Sequence, residues 1–166
     1  MLARLAGALL GHAMEAVEAQ NSSALLARIS QYFRTVTDGA YDRVVTEDDG
    51  DGGLALAMIP HDLPHEQKLV DQLSEGTRDQ LYLALRLAAI EDHVATAPPV
   101  PFIGDDILQT SDDTRAHAAL RALLDLSHRV QVIVLTHHPH ILQLAQSLPE
   151  GAVHVCEVSS DLPVAV

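Results

Sequence analysis

Hydrophobic positions recur at helical spacing from the start of the chain. Leu2, Leu5, Leu9 and Val17, with Ala13 between them, form one stripe over residues 1–20. Asn21-Ser22-Ser23 interrupts it and offers an N-cap for a second helix carrying Leu25, Leu26, Ile29 and Phe33. Thr37-Asp38-Gly39 predicts its stop, because Gly39 can take the left-handed conformation past a helix C-terminus. Tyr41–Thr46 and Leu54–Ile59 then read as two strands across the acidic, glycine-rich turn Glu47–Gly53, an antiparallel hairpin. Pro60–Glu66 reads as a polar loop.

From Gly76 to His93 the pattern is helical, and Leu81, Leu83, Leu85 and Leu87 leave few polar faces, so this helix is expected to be buried. Pro98-Pro99 ends the connection, and Val100–Gly104 is a short apolar strand running into two aspartates. Asp112 is placed to cap a helix through about Leu126, with Leu120, Leu123 and Leu124 on its inner side. Val130–Leu135 is a continuous β-branched run, the pattern of a strand buried on both faces. A helix over about Pro139–Ser147 and a last strand over Val153–Val158 follow. The second half thus alternates strand and helix, which predicts an α/β fold with a mainly parallel sheet.

The length of 166 residues suits one domain or part of a larger one, and 48% hydrophobic residues exclude global disorder. Aromatics are only 3%, so the core is expected to be Leu, Ile, Val and Ala. A net charge of −13 argues against a free-standing DNA-coating protein, but leaves room for a local nucleic-acid contact. Cys156 is the only cysteine, which excludes an internal disulfide or a CxxC zinc site and suits a reducing cytoplasm. No apolar run approaches the length of a membrane span. Leu5–Leu10 is short for a signal peptide and has only Arg4 as a basic flank.

Three segments carry candidate chemistry. In Leu73-Ser74-Glu75-Gly76-Thr77 a hydroxyl, glycine N–H groups and a helix start converge, which suits either an anion such as phosphate or a plain helix cap. Val100-Pro101-Phe102-Ile103-Gly104-Asp105-Asp106 puts two carboxylates at the carboxyl edge of a parallel sheet, where α/β folds bind ligands. One can hold Mg²⁺ through water and its neighbour can orient or deprotonate a water; the alternative is a solvated strand end. Val132-Ile133-Val134-Leu135-Thr136-His137-His138 sets His137 at the same edge, able to bond a phosphate or a water. His137, His138 and His140 also suggest a metal cluster, although Pro139 and the close spacing put them on one turn.

Ser74 to Asp105 is 31 residues and Asp105 to His137 is 32, each interval holding one helix and one strand. In this order the segments resemble the C-terminal half of an ABC-type ATPase head of the SMC-like class, the chromosome-maintenance and DNA-break-repair ATPases, and in particular the bacterial YhaN-like group. Leu73 to Leu81 resembles the ABC signature, Ile103-Gly104-Asp105-Asp106 resembles Walker B, Ser111-Asp112 the D-loop and Thr136-His137 the switch histidine. The resemblance runs from about Ser23 to Leu144 and includes Ile29–Tyr41, where family members pass from coiled coil into head. It implies the C-terminal half of a P-loop NTPase, with residues 1–22 as the end of a coiled-coil helix and 23–166 as the head lobe.

The general signature has Gly and Gln where this chain has Glu75 and Thr77, forms the YhaN-like group tolerates. Walker B usually ends Asp-Glu; Asp106 stands in place of the Glu and reaches one methylene less far. Lys68 is the only lysine and no Gly-x-x-x-x-Gly-Lys-Ser/Thr pattern precedes it, so no Walker A occurs in these residues. The expectation is a fragment of a longer protein or one half of a split ATPase.

By resemblance, ATP and Mg are the cofactors, and a Walker A-containing N-lobe or split subunit, a second head and DNA are the partners. Asp105 would position Mg, Asp106 would act on the attacking water, and His137 would contact the γ-phosphate. Ser74, Glu75 and Gly76 would form the nucleotide-binding signature that meets the opposing head, with Asp112 coupling the two sites. Two other readings stay open: a non-catalytic module that pairs with ATPase heads, and a metal-dependent phosphoesterase using Asp105, Asp106 and the histidines.

Overall fold

The computed structural model describes residues 22–49 and 53–158, so the expected helix over residues 1–20 lies outside the described residues. The elements run α1 (Ser22–Val36), β1 (Tyr41–Asp48), β2 (Leu54–Pro60), β3 (Lys68–Leu69), a 3-10 turn (Val70–Gln72), α2 (Glu75–Val94), β4 (Phe102–Asp105), α3 (Asp113–Ser127), β5 (Val132–Leu135) and α4 (Pro139–Gln146). One antiparallel sheet has the order β1-β2-β3, and β4 and β5 pair in parallel.

Helix α1 ends as its sequence predicts. Gly39 has φ +79 and its N–H donates to the Arg34 carbonyl at 2.8 Å, while Asp38 also takes a positive φ of 52. This turn sends the chain straight into β1, whose Cα register with β2 runs Arg43–Ile59 to Asp48–Leu54. β1 is an edge strand, and α1 covers part of that edge. The Ser30 hydroxyl accepts from the Val44 N–H at 2.9 Å and lies 3.2 Å from the Val44 carbonyl. Pairing the edge in this way removes a template for aggregation.

One core spans both sheets, with α1 packed on β1, α2 and α3. Phe33, Leu81 and Leu87 are fully buried with Ile29, Val36, Met58 and Leu126, and they belong to one continuous cluster. Helix α2 buries Leu81, Ala84, Leu85, Leu87 and Ala88, as its crowded apolar sequence predicts. Helix α3 packs Ala116, Ala119, Leu123 and Leu126 into the same cluster. Small alanines let the helices approach closely, which compensates for the scarcity of aromatic residues.

Two expectations are corrected. Val132–Leu135 is a strand, but it is not buried on both faces: Ile133 and Leu135 are exposed, as is Ile103 at 61% on the neighbouring strand. One face of the pair packs on the helices, and the described residues supply nothing to cover the other. Val153–Val158 forms no strand; Val153, Val155 and Val158 are exposed in irregular chain. Valine alternation alone does not make a strand without a neighbour to accept its hydrogen bonds. Among the described residues no helix is long and apolar enough to cross a membrane.

Candidate functional site

The parallel register decides the geometry of the first site. Asp105 lies opposite Leu135 at the carboxyl ends of β4 and β5. The next residue of β4 leaves the strand sharply: Asp106 has φ 47, and its N–H still donates to the Leu135 carbonyl at 2.9 Å. A left-handed turn is costly for most side chains, but aspartate tolerates it better than most. The turn aims the two neighbouring carboxylates differently. Asp105 is exposed, whereas the Asp106 side chain is only 25% exposed and meets the end of β5.

There the His137 ring Nδ1 lies 2.7 Å from Asp106 Oδ2, and the His137 backbone N–H donates to Oδ1 at 3.4 Å. An ionised carboxylate only accepts, so Nδ1 carries the proton and donates it. Partial burial pushes the Asp106 carboxyl up, but hydrogen bonds from the Thr136 side chain and from His137 outweigh it. The net effect holds Asp106 below the usual aspartate range, hence ionised. The His138 ring stacks 4.0 Å from that of His137, and the His138 N–H donates to the Thr136 hydroxyl at 3.2 Å.

The second cluster surrounds the start of α2. Ser74 is its N-cap: the side chain accepts from the Thr77 N–H at 3.3 Å and shares a hydrogen with the Thr77 hydroxyl at 2.8 Å. This realises the plain capping role the sequence offered. Gly76 faces the segment after β4 so closely that a Cβ there would meet the Thr110 carbonyl oxygen at 3.1 Å. The Thr110 hydroxyl donates to Asp79 at 2.8 Å, tying the first turns of α2 to the segment leading into α3. Asp112 caps α3, accepting from the Arg115 N–H at 2.9 Å.

Thus the structure brings Asp106 together with His137, and separately brings Ser74 and Gly76 beside the Thr110–Asp112 segment. Glu75 is exposed in the first turn of α2. No hydrogen bond joins the two clusters among the described residues. Sequence reasoning did not single out Thr110, Asp79 or Gln80. The buried Gln80 side chain donates to the Val36 carbonyl at 2.6 Å, fastening α2 to the end of α1. Its only signal was a polar residue on an otherwise apolar helix face.

No family model matches the chain. The chain is 30% identical over 121 residues to the uncharacterized protein YhaN of Bacillus subtilis (strain 168), a match that covers 70% of this chain. It spans only 12% of that relative's length. Among solved structures, one from work on ATP-driven dimerization and DNA-stimulated activation of SMC ATPases matches with TM-score 0.59 and 22% identity, over 74% of this chain and 73% of the other. The Smc head domain of Pyrococcus furiosus, bound to the C-terminal domain of ScpA, matches with TM-score 0.57 and 21% identity, over 74% of this chain and 30% of that one. The SMC head domain of Thermotoga maritima matches with TM-score 0.53 and 19% identity, over 81% and 44%. The chain therefore has the fold of the C-terminal lobe of an SMC-like head domain.

Proposed function

We propose that this chain forms the signature, Walker B, D-loop and switch-histidine side of an SMC-like ATPase head. Joined to a Walker A lobe, it binds ATP with Mg and hydrolyses it as two heads pair, in cytoplasmic DNA repair or maintenance. The observation that carries this reading is the 2.7 Å bond between Asp106 and His137 across the carboxyl ends of two parallel strands. The described residues from 23 onward then belong to the head lobe.

The donor set fits the cofactors. Asp105 offers a hard, exposed carboxylate, the kind of ligand a hydrated Mg²⁺ takes. When bound, Mg²⁺ neutralises charge that develops on the transferred phosphate. Asp105 would hold the ion through water, and Asp106 would orient the attacking water and take its proton. Asp106 is held below its usual range, so it is ionised and free to accept that proton. His137 keeps its Nδ1–H on Asp106, which leaves Nε2 for the γ-phosphate; that atom donates only when the ring carries both protons.

The separation of the two clusters supports a shared site between heads. Ser74, Glu75 and Gly76 reach the γ-phosphate held by the opposing head, and Asp112 couples the two composite sites. The uncovered apolar face of Ile103, Ile133 and Leu135 supports docking of the Walker A lobe on the parallel strands.

Phosphate release by the chain alone and with a Walker A lobe tests the proposal. Negligible turnover alone, and turnover with the lobe that Asp106→Asn abolishes, is the expected result. Steady hydrolysis by the isolated chain, or a complemented head indifferent to Asp106→Asn, would reject it.

A further inference from the structure

Three ligating side chains converge where the strands end. We propose that Asp106, His137 and His138 form a binding site for a borderline divalent transition-metal ion such as Zn²⁺, distinct from the Mg²⁺ position at Asp105. Each residue offers one ligand atom, and these atoms lie within 4.8 Å of one another. They come from two segments, Asp106 from the turn after β4 and the histidines from the turn between β5 and α4. The site is therefore not a single-turn histidine run.

The local structure holds the ligands in place. Asp106 is fixed by its left-handed backbone and by its N–H bond to Leu135. The His137 and His138 rings stack with centroids 4.0 Å apart. Among the described residues His138 Nε2 is buried without a hydrogen-bond partner, an unmet demand that a metal ion meets. His140 lies further along, its ring centroid 5.5 Å from that of His138, and it is not one of the three ligands.

Ligand chemistry sets the ion class. Two imidazoles and one carboxylate match Zn²⁺ and its first-row neighbours, whereas Mg²⁺ demands oxygen ligands in octahedral array. Tetrahedral bonds of about 2.0–2.2 Å place neighbouring ligand atoms roughly 3.3–3.6 Å apart. The 2.7 Å pair of His137 Nδ1 and Asp106 Oδ2 needs to open by about 0.6–0.9 Å to reach that spacing, with the shared hydrogen released to solvent. Three protein ligands leave a fourth position for water or a phosphate oxygen. The site stands independently of ATP hydrolysis. If the head does hydrolyse ATP, an ion here occupies Asp106 and His137 and inhibits turnover.

Titration of the full chain with Co²⁺ and Zn²⁺, without nucleotide, tests the site. One ion per chain is expected, with the visible d–d bands of a low-coordinate nitrogen and oxygen site for Co²⁺. Asp106→Asn and His138→Gln should each weaken binding about tenfold or more, as losses even of outer-shell partners do. His65→Ala, in the exposed loop before β3, should leave it unchanged. Circular dichroism identifies the variants that keep the fold, and either ligand variant that does so decides the matter. Absence of a bound ion, or binding equal in wild type and a folded ligand variant, overturns the proposal.

Discussion

Gln80 offers the sharpest test of how the second cluster is held. Its side chain is 3% exposed, and its Nε2 donates to the carbonyl of Val36, the last residue of α1. Helix-terminal carbonyls have no partner within the helix, so this one depends on Gln80. Replacing Gln80 with Ala strands that buried carbonyl, at about 1–3 kcal/mol. It also opens a small cavity, adding roughly 1–2 kcal/mol. Against this, Gln80 Oε1 is itself buried and unpaired among the described residues, and deleting it returns about 1 kcal/mol. The costs win, and the net loss for Gln80→Ala is about 2–3 kcal/mol.

Gln80→Met separates the contributions. It fills most of the volume and removes the unpaired oxygen but leaves the carbonyl stranded, so its loss should be about 1 kcal/mol. Urea unfolding followed by circular dichroism reads both. For a chain of this size the Ala loss corresponds to a melting shift of roughly 4–12 °C. A Gln80→Ala change within about 0.5 kcal/mol of wild type would refute the reasoning, because the Val36 carbonyl would then have another partner. Equal losses for Ala and Met would refute the cavity contribution.

Three further outcomes follow from the two clusters and the core. Ser74→Arg removes the α2 cap and sets a bulky cation at the head-to-head surface; in a complemented head it should leave nucleotide binding intact and abolish ATP-driven pairing, read as dimer mass. Mixing Ser74→Arg with Asp106→Asn heads should restore part of the ATPase rate, since one composite site then carries both defects and the other neither; a mixture as inactive as either variant would argue against sites that fire independently. Burial and then the charge and hydrogen bond of Glu91 push the Tyr32 phenol up to about 12. Its stabilising contribution is therefore full below the ordinary tyrosine value of about 10 and is lost as pH rises through 12, which an alkaline absorbance titration of folded and urea-unfolded protein will show as displaced ionisation curves.

Local chemistry made much of this legible from sequence. Helical periodicity located α1 to α4, Gly39 marked the end of α1, and Ser74 and Asp112 are the caps their positions suggested. Each of those signals is carried within one or two turns of chain. Spacing also set Asp105 and His137 at one sheet edge, because a strand, a helix and a second, parallel strand leave two carboxyl ends side by side. The short β3 escaped notice, since two residues, Lys68 and Leu69, carry no periodicity.

Tertiary structure alone decided the rest. Which carboxylate meets His137 depends on the left-handed turn at Asp106, a backbone angle that no hydrophobic pattern records. The pairing of Gln80 with Val36 and of Thr110 with Asp79 spans 44 and 31 residues, so neither can be read from neighbours in the chain. Burial likewise depends on what packs opposite. The valine-rich stretches at Val132–Leu135 and Val153–Val158 both predicted strands, but one found a parallel partner strand and, among the described residues, the other did not. A strand is completed by the donors and acceptors beside it, and those are supplied by other parts of the fold.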